Sequence, residues 1–209
     1  MLSHSTRRGI VVGVDGSPSS KVAVDWAARE ASLRGIPLTV VYAAPAVAAR
    51  RRAHRIIDDA MRVAQDSAGR ESPLLLSTAV LPTDPVEALV EMSRVAEMVV
   101  VGPRRSTWRR ALSRSVSAAV VRESHCPVAV IHDEDPLMPY PAHAPVLASE
   151  RATRLARQEA ARRGVELVIS AESAARLVEQ SEDAQLVVVD DQLGATVAQR
   201  ARMPVLVTR

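Results

Sequence analysis

Phenylalanine is absent from this 209-residue chain, and only two tryptophans and two tyrosines are present. Aliphatic residues and alanine must therefore fill the core, and an aromatic platform for stacking bases is not available. Cysteine is nearly absent as well. The single Cys126 rules out an intrachain disulfide framework, and its place beside Pro127 at the start of an apolar run predicts a buried structural thiol. No apolar run approaches the roughly 20 residues that a membrane helix needs. The N-terminal MLSHSTRRGIVVGVDGS has neither the apolar segment nor the cleavage site of a signal peptide, so a cytoplasmic protein without membrane contact is expected. No Walker loop, G-x-G-x-x-G or G-x-S-x-G occurs, and the five histidines (His4, His54, His125, His132, His143) have no metal-ligand spacing. Neither a metal nor a nucleophile–base pair is expected, and the protein is expected to work without catalytic turnover.

Charge is present but uneven. The formal net charge is +3; residues 142–209 hold nine arginines and nine acids, so the whole excess lies before them. Two arginine clusters stand out there, Arg50, Arg51, Arg52, Arg55 and then Arg104, Arg105, Arg109, Arg110, Arg114. With so small a net charge and so few aromatics, these read as solvated faces rather than as a nucleic-acid surface.

Apolar runs of strand length alternate with helical patterns, which predicts a βαβ protein with a parallel sheet. Strands are expected at 10–14, 37–43, 74–81, 97–101 and 127–131, and helices at 18–34, 49–68, 85–95 and 111–124. Capping signals agree: Ser17 before Pro18, Asp84 before Pro85 with Glu87 completing a capping box, and Gly35 closing the first helix. The expected fold is α/β, a doubly wound five-stranded parallel sheet of order 3-2-1-4-5.

The remaining chain repeats this plan in shortened form. EASLRGIPLTVV (30–41) matches EAARRGVELVIS (159–170) at an offset of 129, EALVEMSRVAEMVVV (87–101) matches ARLVEQSEDAQLVVV (175–189) at 88, and CPVAVI (126–131) matches MPVLVT (203–208) at 77. The drop from 129 to 88 removes a helix and the strand after it; the drop to 77 removes most of the loop opened by Gly102. The expected domains are 1–132, a linker at 133–143 rich in proline and acid, and a truncated second copy at 144–209. The lost strand should leave a bare sheet edge that the linker or another chain covers.

Ligands of doubly wound sheets sit beyond the strand C-termini where strand order reverses, here between VDGSP (14–18) and VGPRRS (101–106). IVVGVDGSPSSKVAVDWAAREASLRGIPLTVVYA, DPVEALVEMSRVAEMVVVG and SRSVSAAVVRESHCPVAVIH together resemble the universal stress protein family in tandem-repeat form. The resemblance implies an adenine nucleotide alpha hydrolase-like fold, a stress-response role and pairing through the final strands, met here by the two copies as an intrachain pseudo-dimer, with a further homodimer expected. ATP-binding members carry G-x2-G-x9-G-[S/T] after the fourth strand and an aspartate after the first. Residue by residue, the resemblance implies that Asp15 and Val41 meet the adenosine part of ATP, and that Gly102, Ser115, Val116 and Ser117 belong to the phosphate loop. The second and third glycines fall on Arg105 and Arg114, the segment between them being one residue shorter than the pattern. Two readings stand open. Arg104 and a neighbour replace glycine amides as phosphate ligands, or the side chains at Arg105 and Arg114 obstruct the loop, leaving a non-binding pseudo-domain that acts as an interaction or assembly scaffold for protein partners. In the second copy Asp190 and Asp191 replace the loop and the offset places Ala144 at Asp15, so no nucleotide is expected there.

Overall fold

The structure is a computed structural model, describing residues 9–45, 49–68, 74–102, 115–132, 143–170 and 173–209. In chain order its elements are β1 (Ile10–Gly13), α1 (Pro18–Arg34), β2 (Leu38–Ala43), α2 (Ala49–Ser67), β3 (Leu76–Leu81), α3 (Pro85–Ser93), β4 (Met98–Val101), α4 (Val116–Glu123) and β5 (Val128–Val130). The second copy follows as β6 (Val146–Ser149), α5 (Thr153–Arg163), β7 (Leu167–Ser170), α6 (Ala174–Gln180), β8 (Leu186–Val189), α7 (Asp191–Arg200) and β9 (Val205–Val207), with 3-10 turns before α5 and after α6.

All nine described strands form one sheet in the order β3-β2-β1-β4-β5-β9-β8-β6-β7. The first five carry the expected order 3-2-1-4-5, and neighbours within each half run parallel. The halves meet where β5 and β9 pair antiparallel, with Val128 opposite Val207 and Val130 opposite Val205. This is the pseudo-dimer within one chain, its two final strands back to back.

The inner strands, buried on both faces, read as continuous Val-rich runs, as parallel strands covered on two sides must, whereas the outer strands β3 and β7 are partly exposed. Ile10, Val12, Val146 and Ala148 point into one core with α1, α2 and α5; Val11, Val99, Leu147 and Val187 point into the other with α3, α4, α6 and α7. The small-residue stripe Ala23, Ala27, Ala31 lets α1 lie close to the sheet.

Strand registers correct one expectation. Ile10 and Val146 occupy the same place, since Ile10 lies between Leu38 and Met98 and Val146 between Leu167 and Leu186. The helix ends Gly35 and Gly164, both at positive φ, remain 129 apart. α5 is thus two turns shorter at its start than α1, and Ser149, rather than a residue before Ala144, stands where Gly13 does. Of the helix expected at 111–124, residues 111–114 lie outside the described residues; α4 begins at Val116, capped by the extended Ser115.

Across the pseudo-two-fold, α1 and α5 bring together a buried ring of charge. Arg34 Nε donates to Glu30 Oε1 (2.6 Å) and Arg34 Nη2 to Glu159 Oε1 (2.9 Å). Arg163 mirrors this, donating to Glu159 and, across the seam, to Glu30. The two glutamates and two arginines are the same repeat positions, so each helix offers an identical i,i+4 pair that becomes self-complementary on docking.

Candidate nucleotide site

The site is built by three turns at the C-terminal ends of β1, β4 and the start of α4. After β1 the chain makes a tight turn in which Ser17 N–H donates to Asp15 Oδ1 (2.9 Å). Gly16 there has φ of 82°, and a Cβ would come within 2.8 Å of Ile56, so the turn needs glycine twice over. Ser17 then caps α1, its hydroxyl accepting from Ser20 N–H (3.2 Å), with Pro18 in the first turn.

Gly102 ends β4 against the first turn of α1. A Cβ at Gly102 would lie 2.8 Å from the backbone carbonyl of Ser19. Close approach of two backbone segments explains the glycine by itself, before any ligand is considered. Past the undescribed segment, Ser115 caps α4 by accepting from Ala118 N–H (3.5 Å), and its hydroxyl shares a hydrogen bond with that of Ser117 (2.8 Å).

Between these turns lies a cleft of about 250 Å³. Asp15, Val41, Gly102, Val116 and Ser117, five of the expected site residues, line it together. Ser115 sits one residue outside as the helix cap, and Arg104 lies outside the described residues, as do Arg105 and Arg114. The sequence reading missed Ala43, Pro85 and Leu89, which supply part of the apolar wall. Their signal was present: Asp84 fixes where α3 starts, and Pro85 and Leu89 then recur one turn apart on the face turned to the strand ends. Asp84 accepts from Val86 and Glu87 N–H, whereas Glu87 takes the Thr83 hydroxyl (2.6 Å) instead of closing a capping box.

Chemically the cleft is an apolar slot with a polar rim. Val14, Val41, Leu89 and Val101 suit a flat heterocycle; Asp15 offers a carboxylate to hydroxyl or amino donors. The N-termini of α1 and α4 both border it, through Ser17 and Ser20 and through Val116 and Ser117, so two positive helix ends face any anion at the rim. Among the described residues no group of histidine, cysteine and carboxylate side chains could hold a metal.

The equivalent place in the second half is closed by the chain itself. Asp190, in the position of Gly102, accepts from the N–H groups of Gln192 (3.0 Å) and Leu193 (3.4 Å) through Oδ1 and from the Ser149 hydroxyl through Oδ2 (2.9 Å). α7 begins at the next residue, with no loop between. A protein carboxylate, buried and fully bonded, sits where an incoming anion would meet the helix. Cys126 is far from this chemistry: burial pushes its thiol up to about 11, against weaker opposing effects of the Val99 backbone and Arg209.

Sheet order, repeat and cleft define a tandem α/β protein with the adenine nucleotide alpha hydrolase-like fold. Comparison with known proteins makes the assignment narrower. The profile described as the Universal stress protein family matches residues 6–132. A universal stress protein of Mycobacterium tuberculosis is 35% identical over 293 aligned positions that span all of this chain and 99% of the relative, which is therefore the longer of the two. A second from that organism is 40% identical over 191 positions, covering 80% of this chain and 65% of its own length. A solved universal stress protein of Archaeoglobus fulgidus superposes with a TM-score of 0.76 over 98% of this chain and 97% of that one, at 13% identity, a likeness of fold. The chain belongs to the universal stress protein family.

Proposed function

We propose that the first repeat binds an adenine nucleotide of the ATP type, and that the protein serves as a cytoplasmic stress-response component by binding and partner contact rather than by turnover. The observation that carries this reading is the convergence of Asp15, Val41, Gly102, Val116 and Ser117 on one cleft bordered by two helix N-termini. Family resemblance gives the same residues to the adenosine and phosphate parts of ATP. No helix among the described residues is long and apolar enough to cross a membrane.

Calorimetric titration of nucleotide-free protein with ATP and Mg²⁺ tests it. Saturable binding is expected, weakened about tenfold in Asp15→Ala and in Ala43→Leu, which narrows the apolar slot. Gly102→Arg is unsuitable as a control, since any side chain there strikes the Ser19 carbonyl. No heat up to millimolar ATP would support the second reading, a scaffold whose nucleotide site is retired. That reading draws on the second half, where Asp190 already fills the anion position from within.

A further inference from the structure

The clearest unpartnered surface is the one bared by the lost helix and strand of the second copy. In the first copy α1 turns a stripe toward α2. Lys21 pairs with Asp59 (3.6 Å), Asp25 accepts from the Ser67 hydroxyl (2.6 Å), and the Ser32 hydroxyl donates to the Ala68 carbonyl (3.4 Å). Ala28, on the same helical stripe, is fully buried.

The corresponding stripe is Arg154, Arg157 and Ala161 of α5 with Glu150 in the 3-10 turn before it, all exposed. Where the first copy has Asp25 and Ala28, the second has two arginines, and neither makes an ion pair among the described residues. Beneath them lies β7, the last strand of the sheet. β2 is paired along its outer side by β3 for six residues, and Val40 is fully buried; Ile169, its counterpart in β7, is 46% exposed on the α5 face, and Val168 is 37% exposed on the other. Among the described residues no strand pairs on the outer side of β7. The strand has no proline, lysine or bulge of the kind that guards natural edges.

We infer that this edge is a docking surface for an acidic, strand-forming segment of a partner protein, which adds to the sheet beside β7 and places alternate carboxylates on Arg154 and Arg157. Backbone pairing supplies the affinity, Leu167 and Ile169 the apolar contact, and the arginine stripe the choice of partner. Charge argues against a second copy of this chain as occupant. Two β7 edges paired about a two-fold normal to the sheet would set both α5 helices on one face, arginine stripe toward arginine stripe, a like-charge contact.

The test is fluorescence anisotropy on the full chain with a labelled synthetic peptide of alternating valine and glutamate. Three competitors accompany it: the lysine counterpart, the same acidic peptide with a central proline, and a short single-stranded oligonucleotide. Saturable binding is expected, with neither the lysine nor the proline peptide competing. Arg154→Glu with Arg157→Glu, and separately Ile169→Lys, should each weaken binding at least about tenfold while leaving the circular dichroism spectrum and melting point in place. The inference fails if the peptide does not saturate, or if the proline peptide competes equally, which would mean charge without strand addition. It also fails if the oligonucleotide displaces the peptide, or if sedimentation shows a dimer that Ile169→Lys dissociates.

Discussion

Neutralising one carboxylate of the charge ring between α1 and α5 should loosen the whole molecule. Glu159 is fully buried and accepts from Arg34, Arg162 and Arg163; Glu30 is 4% exposed, and Arg34 and Arg163 are each 9% exposed. In Glu159→Gln two buried guanidinium groups would share the single charge of Glu30. Breaking a buried pair from one side costs about 3–5 kcal/mol because the remaining charge stays desolvated. Glutamine still accepts one hydrogen bond, so the lower end, about 3 kcal/mol, is expected. For a chain of this size that lowers Tm by roughly 6–12 °C. Urea unfolding followed by far-UV circular dichroism reads the difference directly. Replacing the four most buried members with Glu30→Leu, Arg34→Met, Glu159→Leu and Arg163→Met should return stability to within about 1 kcal/mol of the parent or above it, since the one charge left without its partner, Arg162, is 32% exposed and reaches water. A loss under about 1 kcal/mol in Glu159→Gln, or an apolar quadruple variant as weak as the single one, would refute the ring as a buried, mutually dependent unit.

Two further outcomes follow from the geometry. Asp190→Ala removes the acceptor of two backbone N–H groups and one hydroxyl at the start of α7, and should cost about 1–2 kcal/mol in urea unfolding, most of it recovered in Asp190→Asn; no cost would mean that water caps the helix equally well. Cys126 should resist iodoacetamide at pH 8 in the native state and react readily in denaturant. Because burial raises its pKa, the native state binds this proton more tightly, so the contribution to stability is complete below about 9 and lost as pH rises toward about 11; a Cys126→Ala variant with the same alkaline decline would refute it.

Most of the framework was legible because it depends on local patterns. Val-rich runs marked the buried strands, and Ser17-Pro18 and Asp84-Pro85 marked helix starts that the structure places where expected. Three collinear repeat blocks revealed the second copy, and the family resemblance, not the blocks, implied the meeting of β5 and β9. What escaped was set by distance in space. The matched blocks 30–41 and 159–170 showed the glutamates and arginines twice, yet nothing local says that Glu30 will meet Arg163 across a seam. The shortened start of α5 escaped for another reason: an offset fixed at Gly35 and Gly164 says nothing of turns removed from the opposite end. Gly102 was legible as a glycine but assigned only to phosphate approach, whereas its contact with the Ser19 carbonyl is already sufficient cause.

The pattern of loss in the second copy follows the seam. β9, which pairs with β5, is kept, as are α7 on the same buried core as α4 and the Glu159–Arg163 pair that completes the ring with Glu30 and Arg34. The helix and strand that are gone belong to the far edge, and their counterparts α2 and β3 pack chiefly on α1 and β2 of their own half. Loss of the far edge therefore leaves the covering of β5 intact, and β5 would otherwise be an open apolar edge of Val128, Ala129 and Val130. The residues that replaced a ligand loop by Asp190, and a helix-covered Asp25 and Ala28 by Arg154 and Arg157, lie on surfaces that the seam does not use. Constraint from pairing and freedom away from it are thus separated along one short polypeptide, and it is on the free side that a new binding function would cost the fold least.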